Sequence, residues 1–219
     1  PQVDCLEQHL RAHSAGHVLV GGGVLMPIDE NYWNLTYNLA IFHEFLSDQG
    51  TGARNYLPGL NLTVARSVVT EVGDFDENLL RGQDIDWTAR ARVAGFQPWF
   101  CAGAVVEHRH TRKSLDALWQ DCANSGYYMR QVRLNNASTL QAPWWLKKRW
   151  LVIAASPMIA ALTTARIYAR RLSLSNRFLY LLPGIFISKL AWCRGACLGP
   201  ILTAQTDHQE SNFSRGQTH

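Results

Sequence analysis

From residue 122 to residue 206 the chain contains no aspartate and no glutamate, although eleven lysines and arginines fall in the same stretch. Residues 1 to 121 are the reverse, with nine basic and fifteen acidic side chains, so the modest net charge of +4 hides two halves of opposite sign. Such a boundary predicts parts with different partners. Other absences narrow the field further. There is no G-x-G-x-x-G following a strand, no P-loop, no zinc-ribbon pair and no G-x-S-x-G elbow, so nucleotide binding and acyl transfer by those routes are not supported. No CxxC pair occurs among the five scattered cysteines, Cys5, Cys101, Cys122, Cys193 and Cys197, which read as reduced thiols of a cytosolic compartment. Cys193 and Cys197, one helical turn apart, leave open a metal pair or an acylation site beside the plainer reading as small buried side chains. The chain shows no internal repeat. It begins at Pro1 with a helix-like segment and no signal peptide, which reads as a piece whose natural N-terminal part lies upstream.

What is present suffices for a folded domain: 219 residues, 47% hydrophobic and 11% aromatic, can bury an ordinary core. Residues 4 to 13 predict a helix. GHVLVGGGVLM predicts a short buried strand, in which Gly21, Gly22 and Gly23 require the backbone to bend or to approach something closely. In NYWNLTYNLAIFHEFLS, Trp33, Tyr37, Ile41 and Phe45 recur every four residues and predict one apolar helix face. A strand is expected around Leu60 to Ala65 after a Pro58-Gly59 turn, then a short helix stopping near Gly73. QDIDWTARARVAG predicts a helix with acidic residues in its first turn and Gly95 as its stop. FQPWFCAGAVVEH alternates and predicts one or two strands, and residues 114 to 134 another helix.

Beyond residue 140 the character changes. Trp144 and Trp145 stand beside Lys147, Lys148 and Arg149, as at a membrane boundary. An apolar run after Trp150 is broken by Pro157, and a second apolar stretch contains Lys189, Arg194 and a Pro183-Gly184 break. Both fit interfacial or re-entrant helices better than clean spans. Basic residues lying among apolar runs favour an anionic membrane over nucleic acid. The expected organisation is an α/β unit over residues 1–140, a membrane-associated helical segment over 141–202, and a polar, disordered tail over 203–219.

The chemistry-bearing residues concentrate between 74 and 110. Asp84 falls at a helix start, where backbone N–H groups welcome a negative charge. Held at a cleft, such a carboxylate takes a proton from a hydroxyl; held elsewhere, it is a helix cap. Asp86 is expected to pair with Arg90 at i+4. Asp74-Phe75-Asp76 and Asp84-Ile85-Asp86 both have the D-x-D form that can hold a divalent cation against a diphosphate, but Asp74 and Asp76 sit in a turn where Asp side chains bond nearby backbone. His108 and His110 follow a strand and share a face if it continues, as metal ligands or as structural residues, with Arg109, Arg112 and Lys113 beside them for phosphate. His9, His13 and His17 have helical spacing but no carboxylate beside them.

Taken in order, LPGLNLTVARS, VGDFDENL, GQDIDWTARARVAG and the strand ending VVEHRH resemble the acceptor-side half of family 2 glycosyltransferases of the GT-A fold, over about residues 15 to 135. The resemblance implies transfer of a sugar from a nucleotide-diphosphate donor to a glycan or lipid-linked acceptor at the cytoplasmic face of a membrane. Asp84 would be the general base, and Gln83 replaces the family's preceding glutamate. Gly59, Asn61, Gln83 and Trp87 would bind the acceptor, and His108 would help to hold a divalent cation, Mn or Mg. The donor half, with its metal-binding D-x-D, is expected ahead of residue 1, so this chain alone is expected to show little transfer. The competing expectation is a non-catalytic membrane-bound binding or scaffold module in which Asp84 is only a cap.

Overall fold

The glycine triplet decides how the centre of the sheet is built. In the computed structural model, which describes residues 1–26, 30–109, 113–170 and 178–201, strand β1 (Leu19–Leu25) is the hub of a mixed sheet ordered β2-β4-β1-β3. β2 is Gly52–Ala53, β3 is Leu62–Val64 and β4 is Trp99–Glu107. β1 runs parallel to β4 and antiparallel to β3. A Cβ at Gly22 would stand 1.9 Å from Asn61 Nδ2 and 2.2 Å from the Ala104 carbonyl, and one at Gly23 would stand 2.8 Å from the Ala102 carbonyl. Only hydrogen fits in both places. The same two glycines flank a break in register: Gly22 pairs with Cys101 but Gly23 with Val105, so β4 is one strand bulged over 102–104.

Alternation along the strands fills two layers. Val20, Cys101 and Ala104 pack under helix α1 (Cys5–Ser14) with Cys5 and Ala12. Leu19 and Phe100, one residue out of phase, face the opposite side and meet Leu57, Val68, Trp87 and Ala91. The last two belong to α4 (Gln83–Val93), while Val68 comes from α3 (Arg66–Val72), which stops at Gly73 with φ +75°.

Helix α2 (Tyr32–Phe42) starts on Asn31, whose side chain accepts from the Trp33 and Asn34 N–H groups at 2.9 and 3.1 Å. The expected one-sided face is not what forms. Every residue from Asn34 to Ala40 is buried, and Phe45 lies beyond the helix in the other core layer, because helices cover α2 on several sides. These are α5 (Leu115–Asn135), α7 (Ser156–Ala169) and α8 (Leu182–Leu198), with the short α6 (Arg149–Ala154) joining them.

α5 and α8 cross at near-backbone contact. A Cβ at Gly126 would lie 2.0 Å from the Trp192 carbonyl, and one at Gly195 1.7 Å from the Ala123 carbonyl. Ile167 and Ile185 share a core with Val24 and Leu39, so the helices after residue 140 pack into the same interior as the sheet. The fold is therefore mixed α/β, with one apolar helix among the described residues, 179–198, long enough by length and composition to cross a membrane, half of its most apolar window being buried inside the protein. The tail expected at 203–219 lies outside the described residues.

Candidate functional site

Asp84 occupies the second position of α4, behind Gly82 at φ +78°. Its carboxylate does not cap its own helix from the flanking position. Oδ2 accepts from the Gly59 N–H at 2.6 Å and Oδ1 from the Ile85 N–H at 2.9 Å. One turn on, Thr88 Oγ1 accepts from the Leu57 N–H at 3.1 Å and donates to the Asp84 carbonyl at 2.8 Å. The loop before β3 is thus clipped to α4 at two points, and the approach is close: a Cβ at Gly59 would stand 3.0 Å from Asp84 Cβ. Each carboxylate oxygen keeps a lone pair for a further donor. The turn Gly59–Asn61 runs beside the C-terminal half of β1, and His108 follows the C-terminal end of the parallel strand β4. Both candidates therefore lie toward the sheet edge where open α/β sheets take ligands.

The other expected acceptor residues have different surroundings. Gln83 opens α4 and is half-buried. Trp87 is 3% exposed, and its indole N–H donates to the Gly73 carbonyl at 2.7 Å, so it serves the core. Asn61 joins the two central strands to α1: its Nδ2 donates to the Ala104 carbonyl at 2.7 Å, leaving Oδ1 to accept from His9 Nε2 at 2.9 Å. That fixes the His9 tautomer, since a neutral ring donating through Nε2 accepts through Nδ1, here from the Thr63 hydroxyl at 2.9 Å. His13 Nε2 reaches the same hydroxyl at 3.0 Å, and His17 stacks on Trp99 at 3.8 Å. The three histidines of α1 and its exit are structural.

Asp86 pairs with Arg90 at 2.9 Å, as the spacing predicts, and also accepts from Asn136 at 2.7 Å. Asp76 accepts from the Asn78 backbone N–H at 2.9 Å, the expected Asx turn. His108 places its ring edge-on to Phe42 at 5.3 Å, and its carbonyl accepts from Asn38. Arg109 pairs with Glu107 and Glu30 at 2.7 and 3.2 Å. His110 and Arg112 lie outside the described residues. Among the described residues no group of three or more His, Cys, Asp or Glu side chains could hold a metal. Cys193 and Cys197 are buried, and burial pushes the Cys193 thiol up to about 11, against any role as a ready thiolate.

A cleft of about 470 Å³ opens between the end of α2, the strand β2 loop and the end of α7, lined by His43, Glu44, Arg54, Tyr56, Ile167 and Arg170 among others. Glu44 is its centre. Its carboxylate accepts from the Tyr56 hydroxyl at 3.1 Å and pairs with Arg170 at 3.1 Å. Burial works to raise the Glu44 carboxyl, but the charge of His43, the Tyr56 hydroxyl and the charges of Arg170 and Arg133 more than offset it and hold it below the usual carboxylate range. Burial, with the neighbouring Glu44 charge, pushes the Tyr56 hydroxyl far up and keeps it a neutral donor; Asp84 is close enough to add to that push. No feature of the sequence singles out these residues, because Glu44 and Arg170 stand 126 positions apart.

Comparison of the chain with protein-family models, with curated proteins and with solved structures returns no match.

Proposed function

We propose that this chain is the acceptor side of a membrane-associated glycosyltransferase of the GT-A type, with Asp84 as the general base. The observation that carries the reading is the carboxylate held at 2.6 Å by the Gly59 amide, at the C-terminal edge of the parallel strands. In the transfer step an acceptor hydroxyl gives its proton to Asp84, its oxygen bonds to the anomeric carbon of the donor, and the bond from that carbon to the nucleotide diphosphate breaks with the electron pair leaving on the diphosphate. Direct displacement of this kind inverts the anomeric configuration. A bound divalent cation supplies charge neutralisation to the leaving diphosphate. The described residues hold no cluster of three or more ligands for it, His108 being the one this reading would contribute, so the chemistry assigned to this chain is acceptor binding and proton removal.

Two observations support the membrane part of the reading. Met158 and Leu162, four apart on α7, are 60% and 64% exposed, and Trp150 on α6 is 66% exposed. Lys147, Lys148 and Arg149 are exposed just before Trp150 in the chain. An apolar face rimmed by cations suits the headgroup boundary of an anionic bilayer, and five cysteines carried as thiols agree with its cytoplasmic side.

The test is Asp84→Asn in the enzyme assembled with its donor side. Transfer is expected to fall by about 10² to 10⁴ while thermal unfolding changes little. Activity kept with stability lost supports the alternative, a scaffold in which Asp84 only clips the loop.

A further inference from the structure

We infer that Thr88 is a positioning residue of the transfer step: from inside α4 it keeps the Gly59 amide aimed at the Asp84 carboxylate. The inference deepens the transferase reading and rests on it for the step that is positioned. Its own basis is a chain of contacts from Thr88 through Leu57 and Pro58 to Gly59. Thr88 stands one helical turn after Asp84 and is fully buried. A threonine inside a helix turns its hydroxyl proton back to a carbonyl three or four residues earlier. Here that acceptor is the Asp84 carbonyl at 2.8 Å, with the Leu57 carbonyl at 3.2 Å as a second one nearby. The oxygen keeps lone pairs of its own, and one of them takes the Leu57 N–H at 3.1 Å.

Leu57 is fixed by its side chain as well. It is fully buried with Leu19, Trp87 and Phe100, and it lies so close to β1 that a Cβ at Gly21 would stand 2.7 Å from its Cδ2. Between this anchor and the amide on Asp84 stands only Pro58, whose ring restricts φ, here −74° with ψ 145°. Little freedom is left to the Gly59 N–H, which meets Oδ2 at 2.6 Å. The other oxygen, Oδ1, is held by the neighbouring Ile85 N–H at 2.9 Å, a local contact that owes nothing to Thr88. With both amides in place the plane of the carboxylate is set; with the Ile85 amide alone the side chain can turn. Proton removal needs the hydroxyl and the carboxylate in one geometry, so the setting of that plane bears on rate. Valine has the shape of threonine without its hydroxyl. In Thr88→Val the buried Leu57 N–H loses its partner, and the loop shifts to find another, taking the Gly59 amide with it.

Two readouts test this. In the whole chain, isotope-labelled glycine reports the Gly59 amide by nuclear magnetic resonance while the pH is lowered. An N–H bonded to a carboxylate responds when that carboxylate takes up a proton. A pH-dependent shift of the Gly59 amide is expected in the wild type, lost in Asp84→Asn and in Thr88→Val, and kept in Thr88→Ser, which retains the hydroxyl. Thr70 on α3 makes the same kind of bond within its helix, to the Arg66 carbonyl at 3.1 Å, and Thr70→Val is expected to leave the Gly59 shift unchanged. In the enzyme assembled with its donor side, Thr88→Val is expected to lower kcat about tenfold with KM little changed, and Thr88→Ser to keep it. A purely structural Thr88 would alter thermal unfolding and leave kcat alone. Persistence of the Gly59 shift in Thr88→Val, its loss in Thr88→Ser or Thr70→Val, or an unchanged kcat in Thr88→Val overturns the inference. Absence of transfer by the wild-type assembly defeats the transferase reading instead, and the amide readout still decides whether Thr88 aims Gly59 at Asp84.

Discussion

Helices α7 and α8 are both apolar, yet they meet different surroundings. α7 leaves Met158 and Leu162 facing outward. α8 is pressed against α5 so closely that Gly195 has the Ala123 backbone where a side chain would be, and its Lys189 reaches inward to the Ala40 carbonyl. The two helices share composition but not duty. Exposure, not apolar content, separates them: α7 is a surface helix and α8 the interior beam of the helical layer. The membrane contact proposed for α6 and α7 would need no span, and α8 spends half of its most apolar window on the protein.

The sharpest way to break this contrast is to add volume on each helix. Gly195→Leu on α8 has only backbone to displace, and is expected to cost about 3 kcal/mol or more, read as loss of the cooperative thermal transition. On α7, Met158→Asp with Leu162→Asp is expected to change unfolding free energy by no more than about 0.5 kcal/mol and to abolish sedimentation with vesicles containing anionic lipid. If the α7 pair unfolds the protein and Gly195→Leu is tolerated, the assignment is reversed.

Between these lies a polar tie of the sheet side. Asp86→Ala strips Arg90 and Asn136 of a buried partner, with an expected loss of about 2 kcal/mol in denaturant unfolding. The smallest effect is a pH dependence. Glu44 is held below its ordinary value near 4.5, so its contribution to stability is complete above that pH and is lost as pH falls through the lower folded value. Glu44→Gln is expected to flatten the acid side of the stability profile below about pH 4.5 and leave its slope at neutral pH unchanged.

Local features of the fold were legible in the sequence because they depend on neighbours along the chain. Three consecutive glycines signal close approach, Asp86 and Arg90 are one helical turn apart, and Asp76 precedes a residue whose N–H it can reach. Trp87, which the resemblance puts on the acceptor side, is buried, and its ring packs against Phe75 at 5.6 Å; α4 is short and polar, so its periodicity does not mark that face as the buried one. The bulge at 102–104 leaves no mark in an alternating strand. The cleft was invisible for a topological reason: Glu44, Arg54 and Arg170 come from three segments, and each reads alone as an ordinary surface charge. The contrast between halves of opposite sign was legible, but its meaning changed, since part of the basic half turns inward toward Glu44.

The central claim is that Asp84 removes a proton rather than merely fastening a loop. Comparing Asp84→Asn with Asp84→Glu in the enzyme assembled with its donor side separates these roles, with initial transfer rate measured against pH and thermal unfolding measured alongside. The account predicts that Asn loses at least about a hundredfold in rate while the fold persists, and that Glu, which keeps the basic group, retains measurable transfer. Equal activity in Asn and wild type would contradict it.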